Sequence, residues 1–114
     1  MAEHIYEQIR LSLENDILEG IIREGEPVPS TNRLAEYHKI NPATAAKGVA
    51  LLHGDGLLEK KRGLGMYLAE GAREKLLEKR RAEFRARYVE VMLAEAARLG
   101  ITKRDVVAMV AAGQ

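Results

Sequence analysis

One stretch of the sequence decides the fold: Asn41-Pro42-Ala43-Thr44-Ala45-Ala46-Lys47-Gly48. Asn41 can cap a helix, and Pro42 suits the first helical position, where the N–H that proline lacks would have no partner within the helix. The helix is predicted to run to about His53. Its apolar positions indicate a buried face, and they leave an exposed set of side chains near its start: Asn41, Ala43, Thr44 and Lys47.

The residues before this helix predict two further helices separated by a loop. Apolar residues recur every four positions between residues 4 and 20, which indicates one amphipathic helix; they are Ile5, Ile9, Leu13 and Ile17. The segment 23–29 contains a glycine and two prolines and is predicted to be an extended loop. Ser30 is a good N-cap for a short helix through Tyr37, and a four-residue break, 38–41, follows that helix.

The residues after this helix predict a β-hairpin. Two short apolar segments, 57–61 and 66–69, flank the glycine-rich turn Arg62-Gly63-Leu64-Gly65. Lys60 and Lys61 precede Arg62 in this turn region. Basic side chains and an unencumbered backbone N–H at Gly63 suit a phosphate group or the minor groove of DNA.

The remainder of the chain predicts a helical tail. A long stretch from Ala72 to Leu99 has helical spacing and contains no proline or internal glycine. Gly100 ends it, and Thr102 opens a last helix with Asp105 at the third position, which predicts a capping box. We therefore expect a mainly α-helical fold with a small β-hairpin, divided into a winged helix-turn-helix domain (1–70) and a two-helix C-terminal dimerisation tail (71–114).

The order of the elements in the first domain indicates DNA binding. A winged helix-turn-helix has this order: two helices, a short turn, a third helix and a hairpin. The helix after the turn enters the major groove of DNA with its N-terminal end. At that end Asn41 can bond an adenine edge, Thr44 can meet a phosphate or a thymine methyl, and Lys47 can pair with a phosphate or a guanine.

An ordered series of short motifs covers about residues 4–70: Ile5-Tyr6-x-Gln8-Ile9, Ile17-Leu18-x-Gly20, Pro29-Ser30, Leu34-Ala35, Asn41-Pro42-x-Thr44, Asp55-Gly56-Leu57-Leu58 and Arg62-Gly63-x-Gly65-Met66-Tyr67. In this series the chain resembles the N-terminal domain of GntR-type transcription regulators. The chain has the Asn41-Pro42 pair and only about forty-five residues after the wing. In these two features it resembles the short-tailed YtrA-like subfamily. The resemblance implies a dimeric repressor, often of an operon that encodes an ABC transporter, and hence a palindromic operator.

The resemblance also implies which residues contact double-stranded DNA. These residues are Ser30, Asn41, Thr44, Lys47, Arg62 and Gly63. After Pro-Ser the family usually has any residue and then an arginine that contacts DNA. This chain has Asn32 at that position and Arg33 one place later, about 100° further around the helix, so both are candidates for the contact.

Seven tail residues are predicted to form the dimer interface: Phe84, Tyr88, Val91, Met92, Val106, Met109 and Val110. Two helices of this length cannot bury both of their faces alone, and an isologous dimer solves that problem. The same cluster can instead line a pocket for an apolar ligand through Tyr88 and the methionines. Whether a small-molecule effector exists stays open.

Composition excludes several classes of function. The chain has 114 residues and a net charge of +1, with no cysteine, which excludes disulfides, thiol nucleophiles and cysteine zinc sites. No metal ligand set, cofactor site or acid–base pair is evident, so we expect no enzyme. No signal peptide or membrane span is evident either, so we expect a cytoplasmic protein without a membrane partner.

Charge by itself permits DNA binding without predicting it. Residues 1–29 sum to −5, residues 30–70 to +2 and residues 71–114 to +4, so one positive face is possible on a nearly neutral chain. The alternative function is a winged-helix module that binds proteins and has no sequence-specific affinity for DNA.

Overall fold

The structure, a computed structural model, describes residues 4–113. Over that range the chain forms, in order, α1 (Ile5–Leu18), α2 (Thr31–His38), α3 (Pro42–Gly54), β1 (Leu58–Lys61), β2 (Gly65–Leu68), α4 (Ala72–Phe84), a π-helical turn (Arg85–Val89), α5 (Glu90–Arg98) and α6 (Lys103–Ala112). The prediction of a mainly helical fold with one hairpin is confirmed.

Side chains begin two of these helices where the sequence predicts them. The Ser30 hydroxyl oxygen accepts a hydrogen bond from the backbone N–H of Arg33 at 3.1 Å and starts α2. The side-chain amide oxygen (Oδ1) of Asn41 accepts from the backbone N–H of Ala43 at 2.7 Å and starts α3, with Pro42 in its first turn. Both bonds satisfy backbone donors that have no partner inside a helix.

The chain divides into two compact units, one ending at Leu77 and the other beginning at Glu78. The first unit contains a hydrophobic core built from all three of its complete helices and both strands. Its most deeply buried large side chains are Ile9, Leu13, Ile17, Leu52, Leu57, Leu68 and Leu76. Three of the four stripe residues of α1 and the inward positions of α3 are therefore core positions, as the sequence predicts, whereas Ile5 at the start of α1 is exposed.

Helices α1 and α3 approach each other closely at Gly48. A Cβ atom on Gly48 would lie 2.9 Å from the Cβ of Ile9 and 2.9 Å from the carbonyl oxygen of Tyr6. Real Cβ atoms do not come this close to such atoms, so only glycine fits between the two helices. Glycine at position 48 therefore lets the backbones of α1 and α3 come nearly into contact.

The hairpin is backed by the loop that precedes α2. β1 and β2 are antiparallel, with Leu58 opposite Leu68 and Glu59 opposite Tyr67. The loop also bonds to β2: the N–H of Val28 donates to the carbonyl of Met66 at 2.9 Å, and the N–H of Leu68 donates to the carbonyl of Glu26 at 2.9 Å. The sequence predicts an extended loop here, and its pairing with the hairpin is a finding of the structure.

A carboxylate from the same loop caps helix α4. The Glu24 carboxylate accepts hydrogen bonds from the backbone N–H groups of Gly71 at 2.8 Å and Arg73 at 3.2 Å. The Arg73 guanidinium in turn donates to the carbonyl oxygen of Leu18 at 3.0 Å. An anion at a helix N-terminus satisfies free N–H groups and is favoured by the helix dipole.

One buried carboxylate lies on α1. The side chain of Glu14 is fully buried, and Arg10 donates hydrogen bonds to it at 2.9 Å and to Glu7 at 2.8 Å. Burial of Arg10 opposes its charge, whereas its hydrogen bond to Glu7 and the negative charges of Glu14 and Glu7 together raise the pKa of Arg10. Glu14 thus meets the requirement that a buried charge be paired.

The second unit contains the rest of the helical tail. The π-helical turn, Arg85–Val89, interrupts the helix that the sequence predicts to be continuous from Ala72 to Leu99. A π turn holds one more residue than an α turn, so residues after it occupy different faces from those that α-helical spacing gives them. Nothing in the sequence, neither proline nor glycine, marks its position.

The capping box of α6 forms as predicted. The Thr102 hydroxyl oxygen accepts from the N–H of Asp105 at 3.1 Å, and the Asp105 carboxylate accepts from the N–H of Thr102 at 3.0 Å. The hydrogen bonds from the backbone and the side chain of Thr102 lower the pKa of Asp105. The carboxylate therefore stabilises α6 above its ordinary pKa, and this contribution is lost as the pH falls through the lowered value.

The predicted domain boundary after residue 70 stays a prediction. The two compact units meet seven residues later, inside α4, because the first turn of that helix packs with the first unit through Ala72 and Leu76. Residues 1–3 and residue 114, the outer ends of the predicted domains, lie outside the described residues.

The contact at Gly48 gives the first prediction. We expect Gly48→Ala to lower the free energy of unfolding by about 1–2 kcal/mol, since overpacking against α1 outweighs the higher helix propensity of alanine. Urea denaturation measures this change. Gly54→Ala is the matched control in the same helix, because nothing lies within 4 Å of the added methyl group. Equal stability of the two variants would contradict the close approach.

Candidate nucleic-acid interface

The exposed face of α3 carries the predicted recognition residues. Asn41, Ala43 and Lys47 are exposed and Thr44 is half-buried, whereas Ala45 on the opposite side has no exposed surface. The start of α3 therefore presents small and polar side chains to solvent, as the sequence predicts.

The cap at Asn41 restricts what its side chain can do. A bidentate bond to adenine uses the amide oxygen as acceptor and the amide nitrogen as donor. In this structure the oxygen already accepts from the N–H of Ala43. The free NH2 group can donate to a phosphate oxygen or to a single base acceptor, and a bidentate bond to adenine would need the second lone pair of the same oxygen. Ser30 is in the same position, because its oxygen accepts from Arg33 and its hydroxyl hydrogen is left to donate.

Lys47 lies over an aromatic ring. Its Nζ atom is 4.1 Å from the centroid of the Tyr6 ring, and the His4 ring stacks nearly parallel on the same tyrosine at 5.1 Å. The sequence alone gives no functional signal at Tyr6. Its separation of 41 positions from Lys47 gives no local signal, and only the packing of α1 on α3 brings the two together.

The turn between β1 and β2 is open and basic. Lys60, Lys61 and Arg62 are exposed, and the Lys61 Nζ atom lies 4.4 Å from the centroid of the Tyr67 ring. Gly63 has φ +77°, which L side chains rarely adopt, and nothing lies within 4 Å of its missing side chain. Leu64 is 68% exposed at the tip of the hairpin, a position for which the sequence gives no functional signal.

The two candidates near the start of α2 are both exposed. Asn32 and Arg33 follow the cap residue Ser30 on neighbouring positions of the helix. Arg33 also lines a shallow pocket between α1 and α2 together with Asp16 and Tyr37. Ser30, Asn32 and Arg33 therefore lie within one helical turn of each other.

Six of the seven predicted interface residues are exposed within the chain, and Val106 is buried. The rings of Phe84 and Tyr88 contact each other, with centroids 5.7 Å apart. Two apolar grooves of about 340 and 470 Å³ flank α6, and both are lined by Met92, Val106 and Val110. Leu99 and Val107 are also exposed, which adds to the apolar surface beyond the predicted set.

Two further kinds of site are absent from the described residues. Between residues 4 and 113 no three histidine, aspartate or glutamate side chains form a group that could hold a metal ion. Within the same range no helix combines the length and the apolar character needed to cross a membrane.

The pattern that defines the bacterial regulatory proteins of the gntR family matches residues 5–68, from the first residue of α1 to the last of β2. The chain belongs to the GntR family. The match covers α1, α2, α3 and the hairpin, and its range includes all eight candidate DNA contacts.

Similar proteins include repressors of transcription. The HTH-type transcriptional repressor YtrA of Bacillus subtilis is 38% identical over 74 residues, which is 65% of this chain and 57% of that protein. A probable fructoselysine utilization operon transcriptional repressor of Escherichia coli is 28% identical over 64 residues, 56% of this chain and 26% of that protein. The chain thus spans about half or less of the length of these relatives.

Solved structures share the whole fold. A GntR family transcriptional regulator from Listeria monocytogenes superposes with a TM-score of 0.82 at 26% identity, over 99% of this chain and 97% of that one. A GntR-family regulator from Bacteroides thetaiotaomicron gives 0.76 at 28% identity, over 93% and 92%. The predicted fold class and the predicted resemblance to the GntR family are therefore confirmed.

The cap at Asn41 gives the second prediction. Aspartate caps a helix as well as asparagine does, but it has no donor and carries a negative charge. We therefore expect Asn41→Asp to keep the stability of the protein and to weaken its binding to duplex DNA. Asn41→Ala loses the cap and is expected to be about 1 kcal/mol less stable. Thermal unfolding and fluorescence anisotropy with labelled duplex separate the two effects, and unchanged DNA affinity in Asn41→Asp would remove Asn41 from the interface.

Proposed function

We propose that this chain is a homodimeric, sequence-specific transcriptional repressor that binds a palindromic operator. One observation carries the proposal: α3 and the hairpin both present free donors and exposed cations, on the two elements that a winged helix uses for the major groove and for the flanking backbone. The names of the similar proteins support regulation of transcription, and YtrA supports repression.

Each candidate residue has a distinct task in this proposal. The residues of α3, Asn41, Thr44 and Lys47, read the major groove, and Arg62 with the N–H of Gly63 holds the backbone or the minor groove. Ser30, Asn32 and Arg33 contact phosphates from the start of α2. Phosphate contacts supply affinity and orientation, and contacts to base edges supply the sequence preference.

The tail supports the dimer. Large apolar side chains on the π-helical turn, α5 and α6 are 41–67% exposed within one chain, and monomeric soluble proteins rarely leave such a surface in water. We propose that the tails of two copies bury this surface together. Residues 1–70 then form the DNA-binding domain and residues 71–114 the dimerisation tail. By its resemblance to YtrA-like regulators, we propose an ABC transporter operon as the target.

Selection of bound duplexes from a random DNA library at near-physiological salt tests the function. We expect an enriched palindrome whose half-sites are spaced by about one helical turn, about 10 base pairs, or a multiple. Recovery of DNA without any motif would indicate binding to the backbone alone. No recovery even at low salt would reject the DNA-binding function and favour the protein-interaction module.

The selected duplex gives the third prediction. We expect Lys47→Ala and Arg62→Ala each to weaken binding, and loss of a phosphate contact to reduce the slope of log affinity against log salt by about 1. Anisotropy titrations at several salt concentrations measure both quantities. Arg104→Ala removes an exposed cation from α6 and serves as the control, because that residue lies far along the chain from the proposed contacts. An unchanged affinity and slope in both test variants would reject this binding mode.

The tail gives the fourth prediction. We expect Val110→Glu to dissociate the dimer, because it places a charge on a surface that lines both apolar grooves. Sedimentation equilibrium measures the dimer dissociation constant. Ala108→Glu lies on the same helix outside both grooves and is expected to leave the dimer intact. Equal association of the two variants would show that this surface is not the interface.

A further inference from the structure

The tyrosine beneath Lys47 has no role in the function described so far. Tyr6 lies on α1, outside the helix-turn-helix, and no predicted DNA contact is on its helix. Its ring nevertheless meets the ammonium group of Lys47 at 4.1 Å, inside the roughly 6 Å range of a cation–π contact. We propose that Tyr6 is a positioning residue that holds Lys47 in place for DNA, a proposal that rests on the DNA-binding function above.

The packing of the two helices creates this contact. The backbone carbonyl of Tyr6 and the side chain of Ile9 lie against Gly48, the residue next to Lys47. Because no Cβ separates the helices there, the side chains of Tyr6 and Lys47 leave the junction side by side. The ring is half-buried and the lysine is exposed, so the tyrosine acts as a fixed platform and the cation stays open to a ligand.

A platform of this kind favours binding in two ways. A free lysine side chain loses much of its rotamer freedom when it settles on a phosphate or a base, and a side chain that is already ordered loses less. The ring faces one side of the ammonium group and offers it no conventional hydrogen-bond acceptor, so the N–H donors on the other side stay available to DNA.

The wing repeats the arrangement. Lys61 lies 4.4 Å from the ring centroid of Tyr67, and these residues belong to paired strands of the hairpin. Each of the two proposed DNA-contacting elements, α3 and the hairpin, therefore carries one lysine over one tyrosine. The second pair arises from a different element and supports the same physical role.

Two substitutions at Tyr6 separate positioning from packing. Tyr6→Leu removes the ring and keeps an apolar side chain, whereas Tyr6→Phe keeps the ring. We expect Tyr6→Leu to weaken binding to the selected duplex two- to fivefold, which converts to about 0.5–1 kcal/mol, and Tyr6→Phe to restore nearly all of the affinity. Thermal unfolding of each variant monitors the fold.

A double-mutant cycle with Lys47→Met decides the proposal. If Tyr6 acts through Lys47, Tyr6→Leu causes no further loss of affinity once Lys47 is gone. An equal loss in both backgrounds would show a purely structural role and overturn the proposal. Normal DNA binding by Lys47→Met alone would overturn the proposal as well, because Lys47 would then not contact DNA.

The lysine itself can be observed without DNA. In NMR spectra of the free protein we expect the ε-methylene protons of Lys47 to be shifted upfield by the Tyr6 ring, and the shift to persist in Tyr6→Phe and vanish in Tyr6→Leu. An ordinary chemical shift in the unmodified protein would overturn the positioning role while leaving the DNA-binding function untouched. The two failures are therefore distinguishable.

Discussion

The close contact of α1 with α3 at Gly48 is the constraint on which the first unit depends. With the two backbones in near contact, Ile9 and its neighbours on α1 reach the centre of the core, and α3 is fixed with its polar side outward. The orientation of α3, the proposed recognition helix, thus follows from the absence of a side chain at Gly48. The proposed DNA-reading function requires a rigid surface, and tight packing directly behind α3 supplies that rigidity.

Much of this fold follows from local signals in the sequence. Ser30, Asn41 and Thr102 each begin a helix, because short polar side chains accept hydrogen bonds from backbone N–H groups that the helix leaves free. The four-residue spacing in α1 predicts its buried stripe, and the glycine-rich segment predicts the hairpin. These signals act over a few residues, so a single sequence is enough to show them.

The features that escape prediction are those that join distant residues. Tyr6 and Lys47 meet only after two helices have packed, and the loop at Val28 bonds to β2 only once the hairpin exists. The π-helical turn at Arg85–Val89 is local, but its residue types suit an ordinary helix equally well. The residue types of the candidate site were therefore predictable from the sequence. The hydrogen bonds that these residues already make within the protein, such as the one accepted by the side-chain oxygen of Asn41, were not.

The hydrogen bonds from Gly71 and Arg73 to Glu24 bear on the order of events during synthesis. The N–H groups at the start of α4 are satisfied by a carboxylate made 47 residues before Gly71, so the helix that leads into the tail is capped only when the loop at Glu24 is already in place. A nascent chain therefore completes its wing before it gains this stabilisation. In the proposed dimer, the start of α4 would therefore be stabilised from within each chain, independently of the partner copy.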